Sequence, residues 1–242
     1  MADLDRLMTT IAPTSTLTLS GARWRALKTH ASTERLRYAM EYAAWLSTPA
    51  RLADWGFTAP SVLCTTNGKA VLYLPHDAPA PSDLALAAFP SVKAKKADTK
   101  ADHSAATLPD GTEARYFPPV GDVVPSKSAL GASHEASVDA WRALFSVASV
   151  NQTCRFWIGD KGAHVEARDT LTDVVATAVL GRSVGARGEP TGLGGELVNA
   201  VLDAAKLLGV ELVTIYVKDH RSAVVFDLAG RGLAIVMPRY LG

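Results

Sequence analysis

Thr191-Gly192-Leu193-Gly194-Gly195 runs into an apolar periodic stretch, and a glycine-rich loop ahead of a helix can offer amide N–H groups and a positive dipole end to a phosphate. The Lys-Ser/Thr pair that completes a phosphate-binding loop is missing, and the spacing is not a dinucleotide fingerprint, so a flexible connection is the plainer expectation. The six histidines, His30, His76, His103, His134, His164 and His220, follow no metal-ligand spacing, and neither cysteine pairs with one. Cys64 and Cys154 lie in apolar or β-rich runs, which suits buried free thiols better than a disulfide. Asp160, Asp169 and Asp173 fall near turns or strand ends, where carboxylates serve local hydrogen bonds. No nucleophile and base stand in a recognisable arrangement, so the chain is expected to be no enzyme and to hold no metal and no cofactor.

What remains is charge and apolar contact. With 25 basic and 24 acidic residues in 242, the net charge is +1, so the bulk balance neither calls for nor excludes a nucleic acid. The distribution is less even: Arg23, Arg25 and Lys28 crowd one short stretch, Arg35 and Arg37 follow, and Lys93, Lys95, Lys96 and Lys100 punctuate a polar run over 91–106. That last run reads as a solvated loop, or as an arm that contacts phosphates. A hydrophobic content of 48% describes an ordinary globular protein. The N-terminus lacks the basic start and apolar core of a leader, and no apolar run reaches membrane-spanning length, so a cytoplasmic protein with no membrane partner is expected.

These groups must be positioned by helices and short strands. Leu197, Val198, Val201, Leu202, Ala205 and Leu208 recur at three- and four-residue spacing, with Glu196, Asn199, Asp203 and Lys206 opposite, which predicts a helix closed by a left-handed Gly209. Strands are expected at 211–217, 223–228 and 233–238. Upstream, helices are predicted over 21–30, from 33 through 46, over 50–55, over 82–89 and over 135–148, the last presenting Val138, Trp141, Leu144 and Phe145 inward and Asp139 and Arg142 outward. Asn67-Gly68 between 61–66 and 69–74 is a strong hairpin signal, because both central residues of the favoured turn must accept positive φ. Further strands are expected at 16–20, 155–158, 163–168 and 171–181, with loops at 126–133 and 182–195.

The order helix, strand, turn, strand, glycine turn and a last strand closing on Val236-Met237-Pro238-Arg239-Tyr240-Leu241 resembles the C-terminal domain of the bacterial β sliding clamp, the ring-shaped processivity factor of replicative polymerases. The likeness extends upstream through Tyr116-Phe117-Pro118-Pro119-Val120-Gly121-Asp122-Val123-Val124-Pro125, similar to the segment that enters the last clamp domain. It implies an α+β fold of DNA-clamp domains, each with two helices packed on a curved antiparallel sheet. The split expected from it is 1–112, a divergent clamp-like domain with extra helices, and 113–242, a C-terminal clamp-like domain.

The resemblance also implies function. A sliding clamp encircles double-stranded DNA through helices that line its hole, and diffuse positive charge holds phosphates without fixing a position. The lining residues it implies here are Arg23, Arg25, Lys28, Arg35, Arg37, Arg142 and Lys206. A hydrophobic pocket for short motifs of DNA polymerase and other clamp-binding proteins would fall on Pro118, Val123, Ile235, Met237, Pro238 and Leu241. Where the family usually carries Met-Arg, Arg239-Tyr240 stand here. Six domains complete a clamp ring, so a two-domain chain would close as a homotrimer, with a dimer as the other homo-oligomer, and would suggest a phage or accessory replication protein served by a clamp loader. The alternative is a clamp-fold module that binds a replication partner without encircling DNA.

Overall fold

The computed structural model describes residues 19–31, 42–80, 84–88, 120, 123–148, 152–159, 162–168, 174–181, 190–239 and 241. In chain order these form α1 (Gly21–Ala31), β1 (Tyr42–Ser47), β2 (Ser61–Thr66), β3 (Ala70–His76), β4 (Leu84–Ala88), β5 (Ala132–Ser137), α2 (Val138–Phe145), β6 (Thr153–Gly159), β7 (Gly162–Arg168), β8 (Val175–Gly181), β9 (Thr191–Gly194), α3 (Gly195–Leu207), β10 (Leu212–Val217), β11 (Val224–Asp227) and β12 (Leu233–Val236). A 3-10 helix, Ala50–Trp55, follows β1 and stops at Gly56, whose φ of 82° needs glycine.

One arrangement of four strands recurs three times among the described residues. After a helix comes a meander of three antiparallel strands, and a fourth strand is added beside the first: β4-β1-β2-β3, β9-β6-β7-β8 and β5-β10-β11-β12. The second and third sheets exchange that fourth strand. β5 precedes α2 but pairs with β10 beyond α3, while β9 precedes α3 but pairs with β6 beyond α2. The exchange ties these two four-strand units together through long-range backbone hydrogen bonds. The third strands β3 and β12 then pair antiparallel, Tyr73 opposite Leu233 and Ala70 opposite Val236, merging two sheets into one of eight strands.

The helices cover one side. α3 lies between α1 and α2 and packs on both. Val138, Trp141, Leu144 and Phe145 of α2 and Leu197, Val198, Val201 and Leu202 of α3 enter one core with Phe156, Val165, Ile215 and Phe226 from the sheets. Each fully buried large apolar side chain is worth about 1.5–3 kcal/mol there. Trp141 is fully buried and its indole N–H donates to the Val213 carbonyl at 2.8 Å, so the core leaves no polar edge of the ring unpaired. On the opposite face of the eight-stranded sheet, Leu52, Trp55 and Phe57 from the 3-10 segment and Val120 and Val124 cover Val62, Cys64, Tyr73, Val225 and Ile235.

The Asn67-Gly68 hairpin is present: Asn67 Oδ1 accepts from the amides of Lys69 and Ala70, and Gly68 has φ of 83°. The α3 helix, Gly209 at φ 68° and the three closing strands also stand where the spacing put them. Four local readings are corrected. Tyr42–Ser47, expected in the helix running to 46, is a strand between β4 and β2, and Ala43, Ala44 and Trp45 are buried on both its faces; an apolar run that short carries no period that separates helix from strand. Leu84–Ala88, all helix formers, is a strand because pairing with β1 overrides propensity. Residues 132–137, split between an expected loop and the start of a helix, form an edge strand on β10; α2 starts at Val138, where Ser137 Oγ accepts from the Ala140 amide at 3.1 Å. Thr191–Gly194 is strand β9 and not a loop. The strand expected at 16–20, the helix from 33 to 41 and the lysine-bearing 91–106 lie wholly or mostly outside the described residues.

Candidate nucleic-acid and peptide surfaces

The helix-covered side holds five of the seven basic residues singled out by the sequence; Arg35 and Arg37 lie outside the described residues. α1 has no acidic residue, and on it Arg25 and Lys28 are exposed. Arg23 is turned to structural use: its guanidinium donates to the Pro75 carbonyl, and burial lowers its pKa against the raising influence of Asp77. Arg142 and Lys206 are each met by an acid across the α2–α3 seam. Arg142 Nη2 lies 2.9 Å from Asp203, and Lys206 Nζ lies 3.6 Å from Asp139, a reciprocal pair of bridges between the same two helices. Such exposed pairs add little stability, about 0–1 kcal/mol each, but they cancel the charge a phosphate would meet. Of these five, Arg25 and Lys28 are the ones exposed with no acid partner among the described residues.

The apolar set is divided. Ile235 is 1% exposed, sealed in the outer core with Val120, Val124 and Tyr73, and cannot touch a ligand. Val123 and Met237 are 38% and 44% exposed, and the Met237 amide donates to the Lys69 carbonyl at 2.7 Å, which places it beside the β2–β3 turn. Pro238 is half-buried, and Leu241 lies against Gly192 of β9. Pro118 is outside the described residues. Accessible apolar contact thus falls to Val123 and Met237, flanked by Pro238 and Leu241.

The segment after Met237 also accounts for the glycines of β9. Arg239 bridges Gly192, its amide donating to the Gly192 carbonyl at 2.9 Å, and a Cβ on Gly192 would stand 2.2 Å from the Arg239 carbonyl oxygen. The Arg239 guanidinium lies over Gly194 and pairs with Glu196 in the first turn of α3. The Gly195 amide donates to the Gln152 carbonyl at 3.0 Å. The glycine-rich run, expected as a flexible connection, is thus a paired strand that serves as a close-approach surface for residues 239–241. On the outer face, Lys127 Nζ stands 5.2 Å from the Trp55 ring and 5.6 Å from Tyr216, whose rings meet edge-on at 5.1 Å. No spacing in the sequence joins these three; only the strap that carries Lys127 across the sheet does. Both cysteines are buried, and burial pushes their thiols up, Cys154 to about 12.

This topology is that of the sliding-clamp fold. The beta clamp of Helicobacter pylori bound to a DNA ligase peptide superposes with a TM-score of 0.61 at 10% identity, over 91% of this chain and 63% of that one. DNA polymerase III subunit beta from Borrelia burgdorferi gives 0.62 at 8% identity, over 100% and 67%. A polymerase sliding clamp from Pseudomonas aeruginosa gives 0.59 at 17% identity, over 91% and 64%. The chain thus spans less than two thirds of the Helicobacter clamp's length. No protein-family model matches the sequence, and no curated protein sequence matches it.

Proposed function

We propose that the chain is a non-enzymatic, clamp-type replication accessory protein, a homo-oligomer whose helix-lined side holds duplex DNA while its outer surface tethers a polymerase or another client. The observation that carries this reading is the row α1–α3–α2 laid along one side of antiparallel sheets, with the acid-free α1 presenting Arg25 and Lys28. Diffuse charge without base-reading side chains suits a protein that moves along DNA. Client motifs would be extended peptides anchored by apolar residues at Val123 and Met237. A second reading has its own support: the pairing of Arg142 with Asp203 and Lys206 with Asp139 removes half of the described helix-face charge and favours a module that binds a replication partner without encircling DNA.

Particle images of the full chain with and without duplex DNA test both. An assembly with the helices turned to a channel or concave groove occupied by DNA is the expected result. Particles with no concave helical surface, together with no DNA binding at low salt, would reject the first reading and leave the second.

A further inference from the structure

The outer core is closed by a strap whose described residues are Val120 and 123–130. Val120 and Val124 are buried with Val71, Tyr73, Leu233 and Ile235, which belong to β3 and β12, the two strands whose pairing joins the halves of the eight-stranded sheet. Three donors hold the strap's backbone. The Tyr73 hydroxyl donates to the Val120 carbonyl, Arg51 Nη1 to the Val124 carbonyl at 3.3 Å, and the Trp55 indole N–H to the Pro125 carbonyl at 3.0 Å. Val123, between two buried valines, is left facing outward.

Beyond Pro125 the strap makes a short exposed turn, Lys127–Ala129, and from it Lys127 reaches back. Its ammonium stands over the same Trp55 ring that holds Pro125 and over Tyr216 of β10, with Asp227 Oδ2 of β11 at 4.0 Å. Trp55 comes from the β1–β2 connection and Tyr216 from the last three strands, so one cation joins the strap to both halves of the sheet.

We propose that Lys127 is a positioning residue, a latch that holds the strap down and so presents Val123, already ordered, to an apolar client segment. What is presented rests on the client contact proposed above; how it is held rests on the Lys127, Trp55 and Tyr216 geometry. A cation between two ring faces is attracted by both, yet the half-exposed ammonium keeps part of its hydration, so the contact closes without being permanent. A strap held in place before binding spares the client the loss of freedom that ordering it would cost. Lys127 acts through the strap and need not touch the client.

The native thiols provide the test. Cys64 lies in the outer core with Val120 and Val124, and Cys154 lies in the helix-side core. Lifting of the strap uncovers the first and not the second, so maleimide labelling, quantified at each cysteine by peptide mass spectrometry, separates local opening from global unfolding. Lys127→Met keeps the apolar stem and removes the cation. Cys64 should then label about three to ten times faster, with Cys154 at the parent rate. Affinity for a fluorescein-labelled decapeptide carrying leucine and phenylalanine should fall by a similar factor. Lys127→Arg keeps a cation that stacks on rings and should restore both readouts. An unchanged Cys64 rate, both thiols accelerated together, an Arg variant as open as the Met variant, or faster Cys64 labelling with unchanged peptide affinity would each overturn the proposal. A parent chain that takes no such peptide would reject the docking reading and the positioning role with it, whereas the Cys64 rates would still tell whether Lys127 closes the strap.

Discussion

Arg142 of α2 stands 2.9 Å from Asp203 of α3, and a three-residue spacing along each helix brings Lys206 back to Asp139. Antiparallel charge order on facing helices makes both bridges at once, and it decides how much positive potential the helix row can offer.

If the row faces DNA, these acids restrain binding. Asp139→Asn with Asp203→Asn frees two cations, and the slope of log affinity against log salt should steepen by about 2 on duplex DNA, since each neutralised phosphate contributes about 0.9. Arg25→Ala with Lys28→Ala should lower affinity and flatten the slope by a similar amount. Fluorescence anisotropy titrations over a salt series measure both; slopes that ignore all four changes would remove this side from any DNA interface.

Acid should weaken the fold through His30. Its ring is fully buried on α1, Nδ1 lies 3.1 Å from Thr65 Oγ1, and desolvation lowers its pKa to about 3. A folded-state pKa below the unfolded value means that unfolding takes up a proton, so stability is whole above about pH 6.5 and falls as pH drops, by about 1.4 kcal/mol per unit. His76, lowered by burial first and by Arg23 second, acts in the same direction. Urea unfolding should lose about 2 kcal/mol between pH 7 and 5. His30→Gln should cost stability at pH 7 yet flatten most of that dependence; an equally steep profile in the variant would place the proton uptake elsewhere.

The chain end should prove a structural clasp. Arg239 pairs with Glu196, both side chains less than a quarter exposed, and its guanidinium fills the space above Gly194. Arg239→Met removes the charge-assisted bond and leaves the carboxylate without it, at a cost of about 1–3 kcal/mol in thermal or urea unfolding. Gly194→Ala puts a Cβ 2.7 Å from the same guanidinium carbon and should cost a comparable amount, whereas the two changes together should cost less than their sum, because the first removes what the second strikes. Strict additivity would show that the two residues do not share this contact.

Much of the fold was legible where its elements are local. The stripe of Leu197, Val198, Val201 and Leu202, the Asn67-Gly68 turn and Gly209 each carry their signal within a few residues, and clamp-like order followed from their succession. Elements whose signal lies in their partners were missed. β1 and β4 are short runs of Ala, Leu and aromatic residues that become strands only by pairing with each other and with β2. The candidate surfaces divided in the same way: Arg25 and Lys28 are exposed as their spacing suggested, but Ile235 disappeared beneath Val120 and Val124, and Arg142 and Lys206 acquired acids from across a seam.

The sequence by itself determined periodicity and turn positions, because these are properties of neighbours along the chain. The tertiary structure alone decided that β5 and β9 change sheets, that β3 seals β12, and that the glycines of β9 receive Arg239. Backbone hydrogen bonds between strands carry no residue identity, so which edge meets which is settled by the packing of the whole core.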